Sequence, residues 1–136
     1  MIYTTKSFYS QGAAQRHSNV LFVFGDNLDR VGYGGQAIIR DMPNAIGVAT
    51  KRSCSEYMTG TLDDFEAVVG DLRDIELLAD IGQRDILLPM NKDGTISLGC
   101  GLAELPLRAP HLYGMIQDWF VRLPNKQEVV LINAAR

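Results

Sequence analysis

Val20-Leu-Phe-Val-Phe-Gly-Asp-Asn27-Leu-Asp-Arg-Val-Gly-Tyr-Gly-Gly-Gln-Ala37 passes from an apolar, β-branched and aromatic run into a polar, glycine-dense segment. Val20 to Phe24 contains no polar residue, the pattern of a central strand covered on both faces, and such strands deliver ligand loops at their carboxyl ends. Gly25, Gly32, Gly34 and Gly35 then permit positive φ and close approach of backbone N–H groups to a ligand. Gln36 to Asp41 is predicted to continue as a short helix whose amino end favours an anion. The spacing fits neither the Walker pattern nor G-x-G-x-x-G. Turn formation alone is the competing explanation. Gly99-Cys100-Gly101 follows another apolar segment, and a second such loop is harder to explain as a turn.

The chain has 136 residues, 46% of them hydrophobic, which is enough for one domain (1–136) with a real core and too short for two of ordinary size. A formal net charge of −3 with no basic stripe argues against nucleic acid as a partner. Cys54 and Cys100, the only cysteines, form no C-x-x-C pair, and His17 and His111 lack partners at ligand spacing, so no metal is expected. There is no signal-peptide pattern and no run of bilayer length, so no membrane association and a cytoplasmic location are expected.

Met1 to Thr4 reads as a short edge strand and Lys6 to Ser18 as loop with a helical turn. Pro43 and Asn44 break the short helix, and Ala45 to Ala49 read as a second strand with Thr50-Lys51-Arg52-Ser53 at its carboxyl end. Thr61 followed by Asp64 caps a helix with Phe65, Val68, Val69, Leu72, Ile75 and Ala79 on its buried face, stopped by Gly82. Its acidic residues read as a solvated face. Ile86 to Met90 is a buried strand, and Asn91 to Gly94 is turn chemistry ahead of Thr95 to Leu98. Leu112, Met115, Ile116, Trp119 and Phe120 mark another helix, with Trp119 read as core. Pro124-Asn125 turns the chain into a last strand, Glu128 to Ile132. Strands alternating with helices predict an α/β sandwich with a mixed central sheet.

Three segments at strand ends, Val20 to Ala37, Ala49 to Arg52 and Leu98 to Leu105, resemble the macrodomain fold, in particular its branch of ADP-ribosyl-glutamate hydrolases. The resemblance spans roughly residues 20 to 132. It rests on Phe24-Gly-Asp-Asn27 followed by Gly32-Tyr-Gly-Gly35-Gln-Ala, and on Leu98-Gly-Cys-Gly-Leu102, similar to the Ile-Gly-Cys-Gly-Leu-Asp of that branch. Thr50-Lys51-Arg52 stands where the branch has Thr-Lys-Lys. The first loop also resembles phage and bacterial proteins of unassigned function that carry Phe-Gly-Asp-Asn or Phe-Gly-Ser-Asn.

The resemblance implies an α/β/α macrodomain-like sandwich and a ligand of the ADP-ribose class, with no cofactor. It implies ligand contacts from Gly25, Asp26, Asn27, Gly32, Gly34, Gly35, Gln36, Thr50, Lys51, Gly99, Cys100, Gly101 and Leu102. Asn27 would meet the distal ribose, while Gly34, Gly35, Gln36 and Gly99 to Leu102 would enclose the diphosphate through backbone N–H groups. Lys51 would be the catalytic amine, activated by Arg52. Two departures bear on function. Ala103 stands where the branch has its catalytic aspartate, with Glu104 adjacent, and nothing between Met1 and Asn19 supplies the aspartate that meets adenine. The expected function is therefore binding of ADP-ribose or a derived nucleotide. The alternatives are hydrolysis through Lys51 and a structural or protein-binding domain without a ligand.

Overall fold

The computed structural model describes residues 1–123 and 125–132. The strands are β1 (Ile2–Thr5), β2 (Val20–Asn27), β3 (Ala45–Lys51), β4 (Asp85–Pro89) and β5 (Lys126–Glu128). They form one sheet in the order β3-β2-β4-β1-β5, and every pair is parallel. The mixed sheet expected from the sequence is thus corrected. Successive strands are joined through helical segments that return the chain to the same end of the sheet, which is what parallel pairing requires. Hairpin chemistry at Asn91 to Gly94 yields only an isolated antiparallel bridge between Met90 and Ile96, and Thr95 to Leu98 is not a strand.

The helices are α1 (Gln11–Arg16), α2 (Leu62–Asp80), α3 (Leu105–Arg108) and α4 (Pro110–Val121), with a 3-10 helix at Gly35–Ile39 in place of the helix expected over Gln36 to Asp41. They cover both faces of the sheet. Phe22, Phe24 and Leu87 pack with Tyr9, Ala13, Ala14, Ala37 and Ile39 on the side of α1 and the 3-10 helix. Val23, Val48, Ile86 and Leu88 pack with Val68, Leu72 and Ile75 of α2 and with Leu112, Ile116 and Phe120 of α4. Each such fully buried side chain contributes about 1.5–3 kcal/mol of transfer free energy. Among the described residues no helix is long and apolar enough to cross a membrane.

Helix α2 begins as its sequence predicts: Thr61 and Asp64 form a reciprocal capping box. Phe65, Val69 and Ala79 on its apolar stripe are only partly buried, as are Met115 and Trp119 on α4. Gly82 follows the helix end for want of space rather than for a positive φ. A Cβ there would lie 2.5 Å from the Leu78 carbonyl oxygen, and it is Gln83 that takes φ +49. Asn44, beyond the 3-10 helix, donates to the carbonyls of Ala14, His17 and Val20 at 2.9–3.0 Å and so ties the end of α1 to the start of β2.

Both terminal strands are displaced from their expected places. β1 is interior, because β5 pairs on its outer side. β5 precedes the expected Glu128 to Ile132 and shares only Glu128 with it. Beyond it Val129 still donates to the Thr4 carbonyl at 2.8 Å and Leu131 to Ser7 Oγ at 3.1 Å, so the chain follows β1 without a ladder. Pro124, read as part of a turn, lies outside the described residues.

One feature of the register positions the site. β2 and β4 pair only over Val20 to Phe22 with Asp85 to Leu87, although β2 runs on to Asn27 and β4 to Pro89. The two strands therefore part toward their carboxyl ends. Tyr9 fills the base of the split, its hydroxyl donating to the carbonyls of Val23 at 2.7 Å and Leu87 at 3.3 Å. Burial pushes that phenol well above its ordinary pKa, so it stays a donor.

Candidate functional site

In a parallel α/β sheet the carboxyl ends of diverging strands form a crevice, the usual place for a ligand. Here the crevice lies between β2 and the segment after β4, and of the residues singled out in the sequence Gly25, Gln36, Thr50 and Gly99 meet there. An ideal Cβ built on Gly25 would lie 3.6 Å from Gln36 Oε1, 3.7 Å from the Gly99 nitrogen and 3.8 Å from Thr50 Oγ1. Both glycine loops and the end of β3 thus meet around a residue without a side chain. Gly25, Asp26 and Asn27 belong to β2 itself rather than to the loop after it.

Gln36 joins the two sides of the split. Its Oε1 accepts from the Gly25 N–H at 2.8 Å and its Nε2 donates to the Ser97 carbonyl at 2.7 Å. The side-chain amide takes the place that a peptide unit of a neighbouring strand would occupy. The contact with ligand expected of Gln36 is through its backbone, and its side chain has this structural task beside it. Thr50 is buried, its hydroxyl 3.3 Å from the Asp26 carbonyl.

The second loop is held tightly at one end and open at the other. Gly99 has φ +79, and a Cβ there would lie 2.9 Å from Leu105 Cδ2 and 3.1 Å from Thr50 Cβ. Around Gly101 there is open space, and Leu102 is 81% exposed. Cys100 Sγ lies 3.4 Å from Asn91 Nδ2 and 3.5 Å from the Tyr113 hydroxyl. Burial, followed by the Cys100 contact, raises the Tyr113 pKa.

The first loop, from Leu28 to Gly34, is latched by side chains that the sequence reading did not single out. Arg40 donates to the Gly32 carbonyl at 2.7 Å and to the Val31 carbonyl at 3.0 Å, while pairing with Asp26 at 2.6 and 3.0 Å. Arg30, at φ +56, bridges Asp26 at 3.3 Å and Asp71 at 2.8 Å. Asp71 also accepts from the Ala49 N–H at 2.8 Å. Asp26 is therefore a buried anchor of two arginines, not a free ligand contact. The same network bounds a groove of about 490 Å³ beside β3 whose arginines are already paired. A second hollow, of about 240 Å³, lies near Ile75, Ile86 and Trp119, remote from the crevice. No local pattern of spacing announces Arg40 or Asp71, since their partners are brought to them by the tertiary fold.

Above these anchors Gly34 and Gly35 face open space, Gly35 with φ +57, and Gly32 has φ +95 with Cys54 Sγ 3.7 Å from its ideal Cβ. Asn27, 8% exposed, donates through Nδ2 to the Val31 carbonyl at 2.8 Å, and its Oδ1 is buried with no hydrogen-bond partner among the described residues. An acceptor so placed costs free energy unless a donor reaches it.

The expected catalytic pair is separated. Lys51 Nζ donates to the Cys54 carbonyl at 2.8 Å and sits 4.8 Å from the centroid of the Tyr57 ring, with Arg108 stacked 3.6 Å from the same centroid. Arg52 instead pairs with Asp64 at 2.9 and 3.0 Å. Asp64 is thus buried and Asp71 engaged, which corrects the reading of the α2 acids as a solvated face for these two, while Asp63, Glu66, Asp74, Glu76 and Asp80 are exposed as expected. Ala103 is buried, and Glu104 turns to Arg108 at 2.7 Å. His17 and His111 are exposed, and no cluster able to hold a metal occurs among the described residues.

The chain belongs to a family of unknown function, DUF7831, whose model matches residues 4–119. Comparison with curated proteins and with solved structures gives no match.

Proposed function

We propose that this DUF7831 member is a nucleotide-binding protein that takes a ligand of the ADP-ribose class in the crevice between β2 and the segment after β4. The observation that carries the reading is the meeting of Gly25, Thr50 and Gly99 where β2 and β4 part. Beside that meeting point Gly34, Gly35 and Gly101 have nothing within 4 Å of an ideal Cβ, and the open space over them suits a diphosphate approaching the main chain. The unpartnered Oδ1 of Asn27 is an acceptor for a hydroxyl donor, which a ribose supplies. The macrodomain-like reading of the architecture belongs to this proposal. It is supported by helices on both faces of the sheet and by glycine loops at strand ends.

Binding is favoured over turnover. A nucleophilic amine needs a free lone pair and a partner that moves protons. Lys51 Nζ is engaged as a donor and lies over a ring, and the position after Leu102 is a buried alanine. The test is mass spectrometry of small molecules released by heat from the purified protein. Recovery of an adenosine diphosphate bearing a second ribose is the expected result. Recovery of an unrelated class of molecule, in stoichiometric amount, would overturn the proposal.

A further inference from the structure

The two edges of the sheet are treated differently. At the β3 edge, the Ala45 N–H is bonded to the Met42 carbonyl and the Ala49 N–H to Asp71, and Arg30 clamps Asp71 to Asp26. That edge is blunted against further pairing. At the β5 edge, Lys126, Gln127 and Glu128 are all exposed. Val129 turns its N–H inward to Thr4, so strand alternation directs the main-chain groups of Lys126, Glu128 and Val130 outward. Val130 is 82% exposed just beyond the strand.

We infer that the β5 edge is the interface with a second copy of this chain, paired antiparallel about a twofold axis at Gln127. Such an isologous contact sets each residue against its mirror in the register. Lys126 of one copy then lies opposite Glu128 of the other, and Glu128 opposite Lys126, while Gln127 meets itself. Both charged residues carry outward main-chain groups, so the register that matches the hydrogen bonds also matches the charges. A lone lysine on an edge discourages pairing, whereas Lys-Gln-Glu in this register is self-complementary. The intrachain contact of Glu128 with Lys6, at 3.8 Å between two exposed side chains, is too weak to compete, and Lys126 Nζ, which donates to the carbonyls of Val121 at 3.3 Å and of Leu123, has a third N–H for the carboxylate of the other copy. The result is a continuous ten-stranded sheet, and the crevices of the two copies stay open.

The test is sedimentation equilibrium of the full chain from low to high micromolar concentration. The parent is expected to dimerise. Lys126→Glu and Glu128→Lys, each of which sets like charges opposite one another twice, should weaken the dimer about tenfold or more. The double variant Lys126→Glu with Glu128→Lys restores opposite charges and should recover the parent's affinity. A monomeric parent would overturn the inference, as would a dimer indifferent to the single reversals. Single reversals that weaken the dimer without rescue by the double variant would overturn this register.

Discussion

Gln36 Oε1 accepts from the Gly25 N–H at 2.8 Å, while the other end of the same amide holds the Ser97 carbonyl at 2.7 Å. One side chain therefore bridges β2 and the segment after β4 at the height where their own pairing has ended. Replacing it with alanine leaves a donor and an acceptor without partners. Gln36→Ala is expected to lower stability by about 1–3 kcal/mol, read from urea denaturation, and to speed hydrogen exchange at Gly25.

Two glycines of the loops should respond in opposite ways. Gly34 has φ −74 and nothing near its ideal Cβ, so Gly34→Glu should fold with its stability within about 0.5 kcal/mol of the parent and lose the ligand through charge repulsion. Gly99 has φ +79 and would press a Cβ against Leu105 and Thr50, so Gly99→Ala should cost about 1–3 kcal/mol of stability. Thermal unfolding and a ligand titration of each variant separate the two effects.

Asp64 should give the fold a component of its acid sensitivity. Burial alone would raise its pKa, but the Arg52 guanidinium and the N–H groups of Thr59, Gly60 and Thr61 outweigh it and hold the carboxyl well below the usual range. A depressed folded pKa contributes stability that is complete above the unfolded value of about 4 and is lost as pH falls through the folded one. Asp64→Asn should be less stable than the parent by about 3 kcal/mol at neutral pH, and the gap should begin to close as pH falls below about 4 and go on narrowing toward the depressed folded value. Chemical denaturation across that range checks the narrowing.

Release of ADP-ribose from glutamate-modified protein is expected to be absent or very slow. General acid–base catalysis typically contributes about 10² to 10⁴-fold, and Ala103 offers no group for it. Glu104 is turned to Arg108 and cannot serve without breaking that pair. Release by the parent that disappears in Lys51→Ala, measured in the same assay, would restore the hydrolase reading.

The parts of the fold legible in the sequence are those fixed by local periodicity and capping. Thr61 with Asp64 and the stripe Val68, Leu72 and Ile75 specify α2 because helix pattern and cap lie within one segment. The apolar run of β2 likewise requires cover on both faces. Strand direction and order were not legible, since whether β5 joins outside β1 depends on contacts more than a hundred residues apart. The site divides in the same way. Gly25, Thr50 and Gly99 could be singled out as small or polar residues at strand ends. Asp26 read as a ligand contact because Arg40 and Arg30, which occupy it, reach it only once the loop has closed.

Titration of the purified protein with ADP-ribose, followed by thermal unfolding, tests the proposed function most directly. At about a hundred times its dissociation constant the ligand should stabilise the fold by roughly 2.7 kcal/mol, a rise of several degrees in Tm, and Gly34→Glu should abolish the rise without lowering the parent's own Tm. Absence of any shift with ADP-ribose, its cyclic forms or NAD at millimolar concentration, or an equal shift in Gly34→Glu, would contradict the assignment of the crevice.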